Sequence, residues 1–224
     1  MPKSILLDIF KIKKFTISVV IALAVFFTGL IGPTVYPRNP FEMKYPPERP
    51  PNEDNPLGTD SYGRDVLAQL LNGIRTSMYI GFTAALIGLT IGVIVGAIAS
   101  IKGGLVDEVL MSVTNIILAM PSILLMMLIA AYFKYRDPIL VSMIIGVTSW
   151  PWVARAIRSQ ILSLKTREFV YFSRMAGYSD FRLAVSELLP NVAAYIFMAF
   201  VLLMSGAMMS EAGLSMIGVG LTEG

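Results

Sequence analysis

The sequence predicts an all-α polytopic membrane protein with five membrane-spanning helices. Apolar residues make up 55% of the 224-residue chain, charged residues make up 15%, and the mean hydropathy is +0.70. These values are typical of membrane proteins and exceed those of soluble domains of this length. Long uncharged segments, separated by charged or proline-rich connectors, define the spans. The spans are predicted at residues 15–36, 77–101, 109–133, 139–154 and 192–210.

The first span follows a basic tail, residues 1–14. Lys3, Lys11, Lys13 and Lys14 precede 22 uncharged residues, so the tail is predicted to be cytoplasmic and the span to run outward. A cleaved signal peptide is the alternative. The apolar segment is too long for one, and no small-residue cleavage site clearly follows it.

The outer segment, residues 37–76, has two parts. Seven of the thirteen prolines lie in its first part, which predicts extended backbone. Its second part predicts an amphipathic helix, because apolar residues recur at helical spacing. These residues are Val66, Leu67, Leu70, Leu71 and Ile74. The helix is interpreted as covering the membrane or the other spans, with direct substrate contact as the alternative.

A glycine-rich string in the outer segment resembles a phosphate-binding loop only in its spacing. Residues 58–65 read GTDSYGRD, with Arg64 and Asp65 where the loop needs lysine and a hydroxyl residue. The Asp65 charge would repel phosphate, and the string lies on the predicted outer side. It is not an ATP site.

Residues 77–224 are predicted to form the transmembrane core. A glycine ladder at Gly88, Gly92 and Gly96 predicts close helix packing, either within the chain or at a dimer seam. Pro121 and Pro151 are predicted to break the third and fourth spans, either to line a pathway or as packing kinks. Glu211 stands at the end of the fifth apolar run. It is either a functional intramembrane carboxylate or, if the span ends near Ser210, the residue that marks its outer end.

Residues 155–190 form a basic cytoplasmic loop within this core. Residues 155–191 hold six Lys/Arg against three acidic residues, which places the segment inside. The order is a helix, a stop at Gly177, a restart capped by Ser179 or Asp180, and Pro190, which ends that helix or opens the next span. A capped helical hairpin of this kind predicts docking of a cytoplasmic partner.

The composition excludes several kinds of chemistry. The sequence has no Cys and no His, which removes thiol catalysis, disulfides and the commonest general base and metal ligand. No catalytic or metal-binding residue is predicted. The net charge of +3 comes mainly from basic residues beside the spans, so it does not indicate a nucleic-acid partner.

The loop resembles that of permease subunits of ATP-binding-cassette importers. That family's pattern is Glu-Ala-Ala, three residues, Gly, nine residues, Ile, one residue, Leu-Pro. Gly177, Leu189 and Pro190 stand at matching positions, whereas residues 171–173 (Tyr-Phe-Ser) replace Glu-Ala-Ala and Glu187 replaces Ile. NPLGTDSYGRDVLAQLLNGIRTSMYIG and SEAGLSMIGVG are similar to strings of the oligopeptide/dipeptide branch. The resemblance covers residues from about 15 to 224.

The resemblance implies a type I permease fold in the prokaryotic cytoplasmic membrane, in which the loop forms helices that couple the permease to an ATPase. It implies as partners a second homologous permease, two cytoplasmic ATPases that hold ATP and Mg, and an external solute-binding protein. A sixth span is expected after residue 224, with a protein of five spans as the alternative. The residues implied in ATPase coupling are Glu168, Tyr171, Phe172, Ser173, Arg174, Ala176, Gly177, Ser179, Asp180, Phe181, Leu189 and Pro190.

Three function classes are weighed. A peptide-importing permease accounts for both the loop and the resemblance, with oligosaccharides or nickel chelates as alternative substrates. An ion-coupled transporter or channel would need intramembrane charges or repeated halves, and the spans contain neither apart from Glu211. A membrane scaffold would not need the hairpin. The interpretation is therefore a non-enzymatic translocation subunit.

Overall fold

The computed structural model describes residues 12–221, so most of the predicted basic tail lies outside the described residues. The regular structure of the described part is helical. The helices are α1 (Lys13–Val35), α2 (Val66–Lys102), α3 (Gly104–Ala119), α4 (Ser122–Ala130), α5 (Pro138–Lys165), α6 (Glu168–Met175), α7 (Asp180–Leu183), a π-helical turn (Ala184–Leu188), α8 (Leu189–Asn191) and α9 (Ala193–Met216).

The number of spans agrees with the prediction when the broken third span is counted as one. Among the described residues, α1, α2, α5 and α9 are long and apolar enough to cross a membrane, and the pair α3 and α4 adds a fifth, bent by 88°. The all-α polytopic fold class is therefore confirmed. The chain divides into two compact units, residues up to Met78 and residues from Tyr79 onward.

In the first unit, α1 packs on the beginning of α2 at two glycines. A Cβ on Gly32 would lie 2.6 Å from Leu71 Cδ2, and a Cβ on Gly29 would lie 2.7 Å from Ile74 Cγ2. The contact is thus so close that a larger residue on α1 would displace it. Leu71 and Ile74 of the predicted amphipathic stripe therefore serve packing against α1.

The structure differs from the prediction at the start of α2. The amphipathic segment and the second span are one continuous helix of 37 residues, and not a separate surface helix followed by a span. No proline interrupts the backbone between Val66 and Lys102, so its hydrogen-bond ladder continues through the polar residues. The helix ends at Gly103 and Gly104, whose φ angles of 64° and 53° favour glycine.

In the second unit, the glycine ladder of α2 packs against α5. A Cβ on Gly92 would lie 2.6 Å from Val153 Cβ, and one on Gly88 would lie 3.2 Å from the Gly146 carbonyl oxygen. Gly146 of α5 is equally close to α2, since a Cβ on Gly146 would lie 2.8 Å from Ile87 Cβ. Of the two alternatives for the ladder, the structure supports packing within the chain.

The two prolines behave differently. The break at Pro121 is confirmed, because α3 ends at Met120, whose extended backbone (φ −87°, ψ 136°) is the conformation favoured before proline. The break predicted at Pro151 is wrong, since α5 runs through it. Pro151 is buried, and helices tolerate proline where surrounding packing and side chains satisfy the freed groups.

α5 also continues eleven residues beyond the predicted span end at residue 154. Residues 155–165 therefore belong to this helix, and the hairpin proper begins at α6. The extension is amphipathic, because Ile157 and Ile161 are fully buried on one side.

Of the two alternatives for Glu211, the structure contradicts the one that places it at the end of the span. The helix α9 extends to Met216, and Glu211 lies within it at 8% exposure, accepting a hydrogen bond from Ser215 Oγ at 2.8 Å. Gly218, two residues beyond the end of the helix at Met216, has a φ of 78°. Its N–H donates to the Ser215 carbonyl, and the Val219 N–H donates to the Leu214 carbonyl, which is a Schellman C-cap. The cap, and not the charge, ends the helix.

Candidate functional site

The candidate site is the helical hairpin formed by α6, α7, the π-helical turn and α8. Its first helix stops where the sequence predicted. Gly177 has a φ of 80°, its N–H donates to the Arg174 carbonyl at 3.0 Å, and the Tyr178 N–H donates to the Ser173 carbonyl at 3.1 Å. This pair of bonds is a Schellman motif, which requires the left-handed conformation at its glycine.

The second helix begins at Ser179, one of the two predicted caps. Ser179 Oγ accepts a hydrogen bond from the Arg182 N–H at 3.3 Å. Asp180 lies in the first turn, where a carboxylate is favoured by the helix dipole. Asp180 also faces Arg174 across the turn, at 3.9 Å between Oδ1 and Nη2. Both side chains are about half exposed, so this pair contributes at most about 1 kcal/mol.

The second half of the hairpin contains a π-helical turn that the sequence analysis did not predict. The Leu189 N–H bonds to the Ala184 carbonyl, five residues earlier. Pro190, in the first turn of α8, has no N–H to offer an α-helical acceptor. A π-turn accommodates such a mismatch without ending the helical path. Pro190 thus lies at the start of α8, and the final span, α9, follows after Val192.

Three buried side chains attach the hairpin to the bundle. Val170, Leu183 and Leu188 are each 1% exposed or less, and they share a cluster with Ile157 and Ile161 of α5. Each buried aliphatic side chain of this size contributes about 1.5–3 kcal/mol. Sequence reasoning missed these anchors because apolar residues occur on both faces of α6 and α7. The hairpin is therefore firmly packed on α5.

The opposite face of the hairpin is apolar and exposed. Tyr171 is 59% exposed, Phe172 68%, Met175 85% and Phe181 79%. We call these four residues the apolar docking face. Met175 was not among the predicted coupling residues. Exposed apolar clusters of this kind mark surfaces that bind another protein or the membrane.

The other predicted coupling residues surround this face. Ser173 and Leu189 are partly buried, whereas the remaining predicted residues are exposed: Glu168, Arg174, Ala176, Gly177, Ser179, Asp180 and Pro190. Since α6 and α7 contact each other, the exposed residues of both belong to one hairpin surface.

Basic residues of α5 before the hairpin contact the neighbouring helices α2 and α3. Arg158 forms a two-point ion pair with Asp107 of α3, and Arg155 Nη2 donates to Asn115 Oδ1 at 2.7 Å. Lys165 Nζ donates to the Ser100 carbonyl near the end of α2 at 2.9 Å, where a cation is also favoured by the helix dipole. The positive charge that indicated an inner location therefore has local partners.

A second polar site lies in the first unit, around Asp65. Its Oδ2 accepts hydrogen bonds from Tyr36 Oη at 2.7 Å, Arg38 Nη1 at 2.9 Å and Asn55 Nδ2 at 3.0 Å. Its Oδ1 accepts from the N–H groups of Leu67 and Ala68. The carboxylate thereby caps α2 and holds the segment between α1 and α2 in place.

Burial by itself would raise the pKa of Asp65. The hydrogen bonds to its charged form, led by the one from Tyr36, outweigh burial and hold the pKa below its ordinary value. Asp60 belongs to the same loop, and burial opposes its ionisation too. Hydrogen bonds from the Arg64 N–H and the Gln69 side chain nevertheless lower the pKa of Asp60. Both carboxylates of the string at residues 58–65 thus have partners within the loop.

Comparisons with known proteins agree with this architecture. The family model described as binding-protein-dependent transport system inner membrane component matches residues 69–222. The dipeptide transport system permease protein DppC of Bacillus subtilis is 34% identical over 204 residues, covering 90% of this chain and 63% of that protein. The oligopeptide transport system permease protein OppC of B. subtilis is 37% identical over 175 residues, covering 78% and 57%.

A putative peptide transport system permease protein of Brucella suis is 33% identical over 214 residues, covering 93% of this chain and 70% of the relative. The chain thus spans about 60% of the length of the two B. subtilis relatives. The family match covers the helical core, including the hairpin and its anchors. The chain therefore belongs to the family of binding-protein-dependent transport system inner membrane components, the permeases of ATP-binding-cassette importers.

Proposed function

We propose that this chain is a translocation subunit that moves peptides of the dipeptide/oligopeptide class across the cytoplasmic membrane. ATP hydrolysis by two partner ATPases drives the movement, and this subunit performs no chemistry itself. A second homologous permease completes the pathway, and an external binding protein delivers the peptide. The N-terminus lies in the cytoplasm. The names of the relatives support the peptide class.

The observation that carries the proposal is the two-sided character of the hairpin. One side is fixed to α5 by Val170, Leu183 and Leu188, and the other presents the apolar docking face. A partner that binds the exposed side can therefore pull or push on α5. The rigid Schellman turn at Gly177 keeps α6 and α7 in a defined geometry under that load.

α5 is well suited to carry this motion into the membrane. It has 28 residues, which corresponds to about 42 Å of helix. Its inner end holds the hairpin through Ile157 and Ile161, and its middle packs into the glycine ladder of α2 near Val153. Closure of the ATPases would move the hairpin and α5 as one body, a hinge or shear transition of the kind that underlies alternating access.

Reconstitution tests the proposal. The complex of this chain with its partner permease, ATPases and binding protein, in liposomes, should take up labelled peptides only with ATP and binding protein present. This chain alone should hydrolyse no ATP. If the complex took up an oligosaccharide or a nickel chelate and no peptide, the proposed substrate class would be wrong. ATP hydrolysis by the chain alone would contradict its role as a subunit without chemistry.

A further inference from the structure

The break in the third span lies at an exposed position of the chain, and this exposure has a chemical consequence. α3 and α4 meet at an 88° bend at Met120 and Pro121, and Leu118, Met120, Pro121 and Ser122 are all exposed within the described chain. In hydrocarbon, backbone outside a regular helix is not tolerated facing lipid, because its polar groups have no partners there. Where such an exposed corner lies within the membrane, it therefore faces water or another protein.

A cleft of about 400 Å³ lies at this corner. α4 and α9 contribute Ser122 and Ser210, and α5 contributes Thr148, Ser149 and Trp152. The other lining residues are apolar, so none of the residues that line the cleft is charged. A cleft that combines apolar side chains with hydroxyl groups and carries no charge can contact a polar, uncharged group of a solute.

The hydroxyl groups of α5 have a defined hydrogen-bonding character. Thr148 Oγ1 donates to the Ile144 carbonyl at 2.9 Å, and Ser149 Oγ donates to the Ile145 carbonyl at 2.6 Å. A hydroxyl whose proton is used in this way still has lone pairs that can accept. The cleft is suited to N–H donors.

We infer that this cleft is the part of the solute path contributed by this subunit, and that it contacts a passing peptide through main-chain N–H groups without recognising charge. The inference rests on the proposed function, from which it takes the peptide. Neutral acceptors bind any peptide backbone alike, because every residue except proline carries the same N–H. Such a path fits a transporter that accepts many side chains.

Single-cysteine labelling tests the location, and the absence of native Cys makes each label unambiguous. Ser149→Cys and Ser210→Cys place a thiol in the cleft, whereas Ser205→Cys places one outside it, on the apolar surface of α9 that exposed Val201 and Met209 form and that is suited to face lipid. In the complete complex in membranes, a water-soluble maleimide should modify the two cleft thiols at least about tenfold faster than the control, because only a thiol in contact with water ionises readily. Transported peptide should slow this modification.

The possible results distinguish a failure of this inference from a failure of the proposed function. Cleft thiols that react no faster than Ser205→Cys, in a complex that imports peptides normally, would mean that a partner subunit covers the corner, and would overturn the inference. Fast labelling that transported peptide does not slow would overturn the peptide contact. Failure of the wild-type complex to import peptides would instead refute the proposed function.

A charge placed in the cleft tests the second half of the inference. Ser149→Asp should reduce uptake of peptides with acidic side chains by several fold relative to basic ones, whereas the wild-type complex and Ser149→Ala should treat the two alike. Ser205→Asp is the matched control for an added charge. Equal uptake of acidic and basic peptides by Ser149→Asp, at normal complex abundance, would show that the solute does not pass this wall.

Discussion

Replacing Gly177 tests whether the hairpin transmits force. The position has a φ of 80°, and a Cβ added there would meet nothing within 4 Å. A substitution therefore causes no steric clash with neighbours, and its whole cost lies in the backbone. Holding an L-residue in the left-handed conformation costs about 1–2 kcal/mol. A β-branched side chain costs more than this.

The alternative for a substituted chain is to leave the left-handed conformation. Doing so gives up the Schellman bonds from Gly177 to Arg174 and from Tyr178 to Ser173, which contribute about 0.5–1.5 kcal/mol each. The two bonds together contribute about 1–3 kcal/mol. Because the chain takes the less costly route, the substitution disfavours the native turn by at least about 1 kcal/mol, a factor of about 5 in its equilibrium. The anchors Val170 and Leu183 keep the hairpin on α5, so the complex should still assemble.

A graded series makes the prediction specific. Peptide-stimulated ATP hydrolysis and uptake should fall in the order Gly177→Asn, Gly177→Ala, Gly177→Val, because asparagine tolerates the left-handed region best and valine worst. Basal ATP hydrolysis and complex abundance should change little. Gln160→Ala, at an exposed position of α5, is a suitable control. Lys165→Ala would not be a suitable control, because the ammonium group of Lys165 contacts the Ser100 carbonyl. Wild-type coupling in Gly177→Val would refute the coupling role of the hairpin.

Three further predictions concern packing, pH and topology. Gly92→Ala should destabilise the subunit by about 1–3 kcal/mol, because its Cβ would overlap α5. Gly73→Ala in the same helix meets open space and should not destabilise the subunit. Thermal unfolding in detergent checks both variants. Since hydrogen bonds lower the pKa of Asp65, the stability that they give the segment between α1 and α2 should persist at neutral pH and be lost progressively below about pH 4. Asp65→Asn should lose this stability at every pH. Amide hydrogen exchange, corrected for intrinsic rates, tests both expectations. Asn52→Cys should react with an impermeant thiol reagent only from outside and Ser179→Cys only from inside, and labelling of both from one side would contradict the topology.

Local signals predicted the hairpin well. The stop at Gly177 and the cap at Ser179 follow from backbone and side-chain properties that act over a few residues, and the structure has both. The break at Pro121 is local in the same sense. The role of the hairpin in ATPase coupling stays a prediction, because it depends on a partner.

Other features depended on what surrounds a residue. Pro151 has the same covalent chemistry as Pro121, yet α5 continues through it because the residue is buried in a packed bundle. Glu211 resembles a helix end in the sequence, but Ser215, one turn later, donates a hydrogen bond to it inside α9. The sequence cannot reveal such compensation, since it arises from neighbours brought together by folding.

The sequence by itself determined that this chain is a helical membrane protein, where most of its spans lie and where its hairpin turns, because hydrophobicity, glycine and proline act locally. Only the tertiary structure decided which side of the hairpin is attached and which is exposed. Val170 is buried and its neighbour Tyr171 is exposed, although both are apolar. The difference arises because Ile157 and Ile161 of α5 occupy one side of the hairpin, and that contact exists only once the chain has folded.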